Sequence, residues 1–506
     1  MRPSLSAAII PFISAAVAQR VGTLVAETPL SLQWSKCVVG PACSAQAGKV
    51  VLDAEWRWLH YWQGTDNCYG SGGWNPTYCP VNNPPPCAQN CALEGANYSG
   101  DHGITTSGNS ITLKYVTQTS SGPNVNSRVF MLSATDNTKY EIWKLLGKEL
   151  SFDVDASNLP CGVKGSLYFV EMDADGGKAK YSPNLAGAKY GTGYCDSKCN
   201  RNLWVNGEAN TLGYVAPVDP AYVPWYGSCC GEVDLFEGNK YSSAFSAHPC
   251  TVNGQTRCHG ADCSEPGYAP GFCDADGCDW NSYRLGATSF YGPSKTVDTS
   301  KKFTVVTQFI TSDGTPNGQL VEIKRFYLQN GVIIPNNNPV VPGLSSYTSI
   351  KNNFCANEKT VFGETDYFAQ QGGLTQVGSS LNRGGVLVFG ISDDEDRYLQ
   401  WLDGVWPSDQ DPSVPGVKRG SCSATSGDVN DIRVSAANAS VTFSNVRIGD
   451  IGTTTSGSPS TTTTTTTRTT TTTTTTTKTV TTTTTTTTTS GALQTQWGTC
   501  AGPNWT

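Results

Sequence analysis

The stretch GSCCGEVDLFEGN, residues 227–239, carries three carboxylic acids, Glu232, Asp234 and Glu237. Two carboxyls in different protonation states can divide a reaction between them. The ionised one attacks, and the protonated one donates to the leaving oxygen. Cleavage of a glycosidic bond with retention needs such a pair, about 5–5.5 Å apart. The segment reads as a strand, in which successive side chains point to opposite faces. Glu232 and Asp234 then share a face, and Glu237 has the wrong parity. A β-bulge at 235–236 absorbs one residue and returns Glu237 to the face of the other two. Asp234 then lies between them, where it can hydrogen-bond the nucleophile and, through its charge, raise the proton affinity of a neighbouring acid. Val233, Leu235 and Phe236 face the core behind. The alternative is an acidic, solvated strand face. The Leu235–Phe236 interruption and the adjacent Cys229 and Cys230 speak against it. Neighbouring cysteines do not easily bond each other and tie the strand's start to two different partners.

The elements around this stretch are short alternating segments rich in Val, Ile, Phe, Tyr and Thr. They include KVVLDAEWRWLHYW, SRVFMLSA, ELSFDVDA, GSLYFVEMD, KFTVVTQFIT, VEIKRFYLQ, GGVLVFGIS and ASVTFSNVRI, with Gly and Pro between them. Helix-like patches are short, and there is no run of strand–helix alternation. The pattern predicts an all-β fold of two sheets with long connecting loops, the places where binding sites are built.

Four regions follow from composition. Residues 1–18 combine Arg2, an apolar run and Ala16-Val17-Ala18, the layout of a cleaved secretory signal rather than a membrane anchor. Residues 19–452 form the body, with Gln19 at its start able to cyclise. Residues 453–491 are a Thr-rich linker that cannot bury a core, with a reach on the order of 100 Å when extended. Residues 492–506 are a short tail. Of 19 cysteines, all but Cys500 fall in the body, an even number that suits disulfides in a secreted chain. The scattered His60, His102, His248 and His259 offer no metal-binding cluster, so neither metal nor cofactor is expected. A formal charge of −7 argues against nucleic acid or an anionic membrane as partner. The 13 Trp and 21 Tyr suit the apolar faces of sugars, although aromatic rings also fill cores. Asn97 and Asn438 begin N-glycosylation sequons.

CCGEVDLFEGN followed by AHPC (247–250) resembles the signature of glycoside hydrolase family 7, the fungal cellulases. MDADGG (172–177), AKYGTGYCD (188–196), CDADGCDWN (273–281), SFYGP (289–293) and RGSC (419–422) extend the resemblance over the whole body. It implies a β-jelly-roll sandwich of two antiparallel sheets whose long loops form a cleft or partial tunnel. It also implies retaining cleavage of β-1,4-glucan by a monomer. Glu232 is then the nucleophile, Asp234 its helper, Glu237 the acid/base, and His248 a neighbour on the leaving-group side. Trp56 and Trp58, presented to one face by one strand, and Trp401 are the implied sugar platforms; a place in the core is the alternative for the first two. Arg128, Tyr168, Asp196, Asp276, Arg284 and Arg419 match polar substrate contacts, or else make ordinary surface hydrogen bonds. The implied disulfides are Cys37–Cys43, Cys68–Cys91, Cys79–Cys87, Cys161–Cys422, Cys195–Cys230, Cys199–Cys229, Cys250–Cys273, Cys258–Cys263 and Cys278–Cys355. A further bridge of many cellobiohydrolases is absent, with Gly22 and Ala92 at its two positions.

Loop lengths point both ways. Long stretches at 211–228 and 312–326 favour a tunnel. The shorter 264–272 and the LFEGN version of the motif favour an open cleft. Several positions depart from the family pattern. Ser392 replaces a stacking Trp, a loss of about 1–3 kcal/mol at one sugar subsite by analogy with base stacking. Lys164 replaces an Asn, Lys198 a Gln, Trp204 a Lys, and Glu395 and Asp396 a Tyr pair. Lysines close to the acids would lower carboxyl pKa values. The tail QWGTCAGPNWT resembles the start of a family 1 cellulose-binding module, too short to fold with one cysteine. Three readings follow: a cellobiohydrolase releasing cellobiose, an endo-acting β-1,4-glucanase, and a glucan-binding protein with weak catalysis.

Overall fold

The computed structural model describes residues 19–40, 43–70, 73–213, 225–264 and 270–455. The expected leader, the expected linker beyond 455 and the expected tail lie outside the described residues, as do most of the loops expected to roof the cleft, at 214–224 and 265–269. Thr453 and Thr454 are buried, and Thr454 donates its backbone N–H and its hydroxyl to Glu149. Packing of the body thus continues past residue 452.

Two large sheets dominate the described residues. The sheet that carries the acids is built, in chain order, from β1 (Leu30–Ser31), β2 (Lys49–Leu52), β3 (Ser127–Leu132), β4 (Lys164–Val170), β5 (Glu232–Gly238), β6 (Ser243–His248), β7 (Cys278–Asn281) and β8 (Val386–Ser392). Its spatial order is β1-β2-β3-β8-β4-β5-β6-β7, with every neighbour antiparallel. The facing sheet runs Ile104–Ser107, Ser110–Lys114, Ser440–Asp450, Lys148–Asp155, Phe303–Thr311, Leu320–Gln329 and Val332–Pro335. This is the expected β-jelly-roll sandwich.

The strands form because alternate residues fill the space between the sheets. Phe236 of β5 meets Phe303 and Phe443 of the facing sheet, each at 6.3 Å between ring centres, and Phe389 of β8 meets Phe443 at 5.7 Å. Each fully buried ring contributes about 1.5–3 kcal/mol, so register is strongly held along the whole inner face. The outer face of the first sheet is also covered, by loops. That is why β8 reads VLVFGIS, an almost unbroken apolar run. Nine disulfides join the eighteen described cysteines in the pairing that the resemblance implies. Cys229 and Cys230 bond Cys199 and Cys195, so two separate bridges pin the entry to β5.

Candidate active site

The parity conflict in β5 is resolved by a bulge. Against β4, Glu232, Val233 and Asp234 face Val170, Phe169 and Tyr168; Phe236 and Glu237 then face Leu167 and Ser166, and Leu235 is left without a partner. Against β6, Asp234 faces Ser246 and Glu237 faces Ala244, so residues 235 and 236 stand opposite Phe245 alone. Leu235 and Phe236 are both fully buried, which drives the irregularity: two consecutive apolar side chains enter the core and the ladder yields one residue. Glu237 thereby returns to the face of Glu232 and Asp234, and all three acids line one cleft.

That cleft consists of two cavities, of about 350 and 460 Å³. They share Glu232, Asp234, Glu237, Lys198, Arg397 and Trp401, so the acids sit at the junction. Glu232 accepts from the Ser197 N–H at 3.0 Å and from its hydroxyl at 2.6 Å. Burial, followed by the charge of Asp234, raises the pKa of Glu232. His248, the Ser197 hydroxyl and Lys198 pull the other way. Asp234 accepts from Ser246 Oγ at 2.6 Å and from His248 Nε2 at 2.9 Å, and His248 Nδ1 donates to the Asp274 carbonyl at 2.9 Å. Burial alone would push the imidazole pKa down. The hydrogen bond to Asp234 and the charges of Asp234, Glu232 and Asp274 outweigh it and push the pKa up to about 10. His248 is thus an imidazolium at neutral pH. Gly277 makes room for the ring: a Cβ there would lie 2.4 Å from His248 Cε1, and the residue's φ of +69° also favours glycine.

Glu237 is paired with the Lys164 ammonium. Lys164 Nζ and Lys198 Nζ lie 4.8 and 4.9 Å from the centre of the Trp401 ring, whose Nε1 donates to Asp394 at 2.8 Å. Both lysines that depart from the family pattern therefore face the acids. Ser392, opposite Lys164 in the sheet, and Asp396 line the larger cavity. Glu395 instead pairs with Arg433. Trp204 stands away from the cleft, packed edge-on to Trp74 at 6.2 Å in a disulfide-rich cluster.

Most of the sequence-derived substrate contacts converge here. Trp56, Arg128, Tyr168 and Asp196 line the larger cavity, and His248, Asp276, Arg284 and Arg419 the smaller. Arg128 is held by Asp53 at 2.6 Å and lies over the Tyr194 ring at 3.2 Å. Asp196 accepts from Tyr194 Oη at 2.8 Å, and burial with the Glu232 charge lifts its pKa to about 6. Two expectations need correction. Trp56 and Trp58 do not share a strand. Ala54–Trp56 is a 3₁₀ turn capped by Asp53, whose carboxylate accepts from the Glu55 N–H at 2.9 Å. Trp56 consequently lines the cleft while Trp58, 37% exposed, stacks on His60 outside both cavities. None of residues 312–326 lines either cavity; 312–319 turn a hairpin in the facing sheet. Arg284 and Arg419 are also less free than surface contacts. Glu364 accepts from Arg284 and lies 3.5 Å from Arg419, and Arg284 pairs further with Asp279 and Glu358.

Sequence reasoning missed Ser197, Ser246 and Glu364. Ser246 shares parity with His248 in SAFSAH, a usable signal. Ser197 and Glu364 lie 35 and 80 residues from the groups they hold, and nothing local announces them.

A family model, glycosyl hydrolase family 7, matches residues 21–455. The chain belongs to this family. It is 45% identical to a family 7 cellobiohydrolase from Daphnia pulex, covering 86% of this chain and 99% of that one with a TM-score of 0.82. A cellobiohydrolase from Melanocarpus albomyces, solved with cellotetraose, is 38% identical over 86% of this chain and 99% of that one, with a TM-score of 0.79. The Humicola insolens endocellulase EGI is 32% identical over 86% and 100%, with a TM-score of 0.73. As a family 7 member the protein is an O-glycosyl hydrolase of the cellulase class. Among the described residues no helix is long and apolar enough to cross a membrane.

Proposed function

We propose that the protein is a secreted cellulase that hydrolyses β-1,4-glucosidic bonds with retention and acts as a cellobiohydrolase, releasing cellobiose. The observation that carries this is the bulge that gathers Glu232, Asp234 and Glu237 at the junction of a two-lobed cleft. Glu232 attacks the anomeric carbon, guided by the two Ser197 donors. Glu237 protonates the leaving oxygen, then takes a proton from the water that releases the glycosyl-enzyme. Asp234, neutralised by the His248 imidazolium, separates the two without adding net charge. Trp56 on one side and Trp401 at the junction provide flat surfaces for glucose rings. The leader sequence supports secretion, and the higher identity to the two cellobiohydrolases than to the endocellulase supports the exo reading. Glu232→Gln should abolish hydrolysis of amorphous cellulose in a folded protein; unchanged turnover refutes the assignment.

Two observations favour endo action instead. Ser392 removes a stacking ring beside the acids, and the arginines of the smaller cavity are engaged by Glu364, so grip on the chain is weakened on both sides. Products decide. Cellobiose with slow viscosity loss fits exo action, and rapid viscosity loss fits endo action. Binding of cello-oligosaccharide without release of reducing sugar would mean a glucan-binding protein.

A further inference from the structure

The bulge that aligns the acids exposes a structural debt of its own. Leu235 has no partner on β4, so the ladder there is interrupted inside a fully buried environment. A buried carbonyl without a donor is strongly unfavourable. Here the donor comes from the opposite sheet. Arg325, on the Leu320–Gln329 strand, points into the sandwich between Ile323 and Tyr327, and the three residues are 1–3% exposed. Its Nη2 donates to the Leu235 carbonyl at 2.6 Å, and its Nε donates to Thr307 Oγ1 at 3.1 Å. The guanidinium carbon lies 4.0 Å from the centre of the Phe245 ring. Phe245 is the single residue of β6 that faces the two bulged residues. One side chain therefore holds both sides of the bulge.

The choice of residue is informative. Among the described residues no carboxylate lies within ion-pair distance of Arg325. Burial depresses its pKa, with Tyr327 opposing. An unpaired guanidinium between two sheets is expensive, and an apolar residue would pack there at lower cost. Its two hydrogen bonds and its ring contact fix the backbone position of residue 235 from outside the sheet. Glu237 follows two residues later, and the bulge decides which face of the strand carries its carboxyl.

We propose that Arg325 is a positioning residue for Glu237: it clamps the 235–236 bulge from the facing sheet and so sets the acid/base at the distance the reaction needs. This rests on the assignment of Glu237 as acid/base given above. A misplacement of about 1 Å can cost roughly 100-fold in rate, so the effect belongs in kcat and in the step that needs the proton.

The test compares two β-cellobiosides. A poor leaving group, 4-methylphenol, needs protonation; a good one, 2,4-dinitrophenol, does not. In Arg325→Met, kcat on the 4-methylphenyl glycoside should fall about 30- to 100-fold with KM within about threefold. The rapid release of dinitrophenolate in the first turnover should stay within about threefold of wild type. Steady-state turnover of the dinitrophenyl glycoside should be slow and should recover on adding azide, which attacks the glycosyl-enzyme without a base. Arg325→Lys, which keeps a single cationic donor nitrogen in place of the guanidinium fork, should show the same bias with a smaller loss, and it decides the matter if the Met variant does not fold. Equal losses in 4-methylphenyl glycoside turnover and in first-turnover dinitrophenolate release, no azide recovery, or no loss would each overturn the proposal and leave Arg325 a packing residue. No first-turnover release in wild type, or release that persists in Glu232→Gln, would instead undermine the underlying catalytic assignment.

Discussion

The His248–Asp234 pair makes a stability prediction with a definite sign. Replacing His248 by Gln removes an imidazolium that is 5% exposed and 2.9 Å from a buried carboxylate. The folded-state pKa is about 10, against the ordinary imidazole value of 6.5. That rise of roughly 3.5 pH units, at ~1.36 kcal/mol per unit, corresponds to about 5 kcal/mol. Breaking a buried pair from one side costs about 3–5 kcal/mol, so the two routes agree. Because the folded pKa is raised, the stabilisation is complete below pH 6.5, where folded and unfolded chains both hold the proton. It is lost as pH climbs from 6.5 towards 10, because the unfolded chain releases its proton first. Urea unfolding of wild type and His248→Gln, with disulfides intact, should therefore show a gap of about 3–5 kcal/mol at pH 5.5 that narrows to under about 1 kcal/mol at pH 10. A gap that does not change with pH would mean the imidazole is neutral in the folded protein, and the account of Asp234 as a neutralised spacer would fail.

Three further perturbations test the surroundings of the acids. Lys164→Asn removes the ammonium paired with Glu237 and one of the two ammonium groups over the Trp401 ring; kcat/KM on cello-oligosaccharides should change several-fold, and an unchanged value would mean that the pair does not shape the site. Removing the Cys195–Cys230 bridge by a double Ala substitution opens a loop with a sequence separation of 35. That should lower unfolding stability by about 3–4 kcal/mol and loosen the start of β5, read as a joint fall in denaturation midpoint and kcat. Glu364→Ala releases Arg419 and removes one of the three carboxylates that hold Arg284; cellobiose inhibition should strengthen several-fold, and unchanged inhibition would mean that the arginines do not meet the product.

Much of the site was legible in the chain because its signals are local. The acids announce themselves by type. The bulge follows from a parity conflict within six residues, sharpened by Leu235 and Phe236, which cannot alternate and both stay dry. The strands follow from period-two patterns, and Arg325 carries such a signal too, since Ile323, Arg325 and Tyr327 share the inward parity. The disulfide pairing was reached only through the family resemblance, because eighteen cysteines admit many pairings. What escaped was either a turn hidden in an apparent strand or a long-range partner. Asp53-Ala54-Glu55-Trp56 looks like part of a strand until Asp53 is seen as a cap, and that cap sends Trp56 and Trp58 to different environments. Glu364 holds Arg284 across 80 residues, and only folding brings them together.

Trapping the covalent intermediate tests the central claim most directly. Incubation with 2,4-dinitrophenyl 2-deoxy-2-fluoro-β-cellobioside, digestion and peptide mass spectrometry should locate one cellobiosyl adduct on Glu232, with β-configured product released on reactivation. An adduct on another residue, or α-configured product with no adduct, would contradict the account.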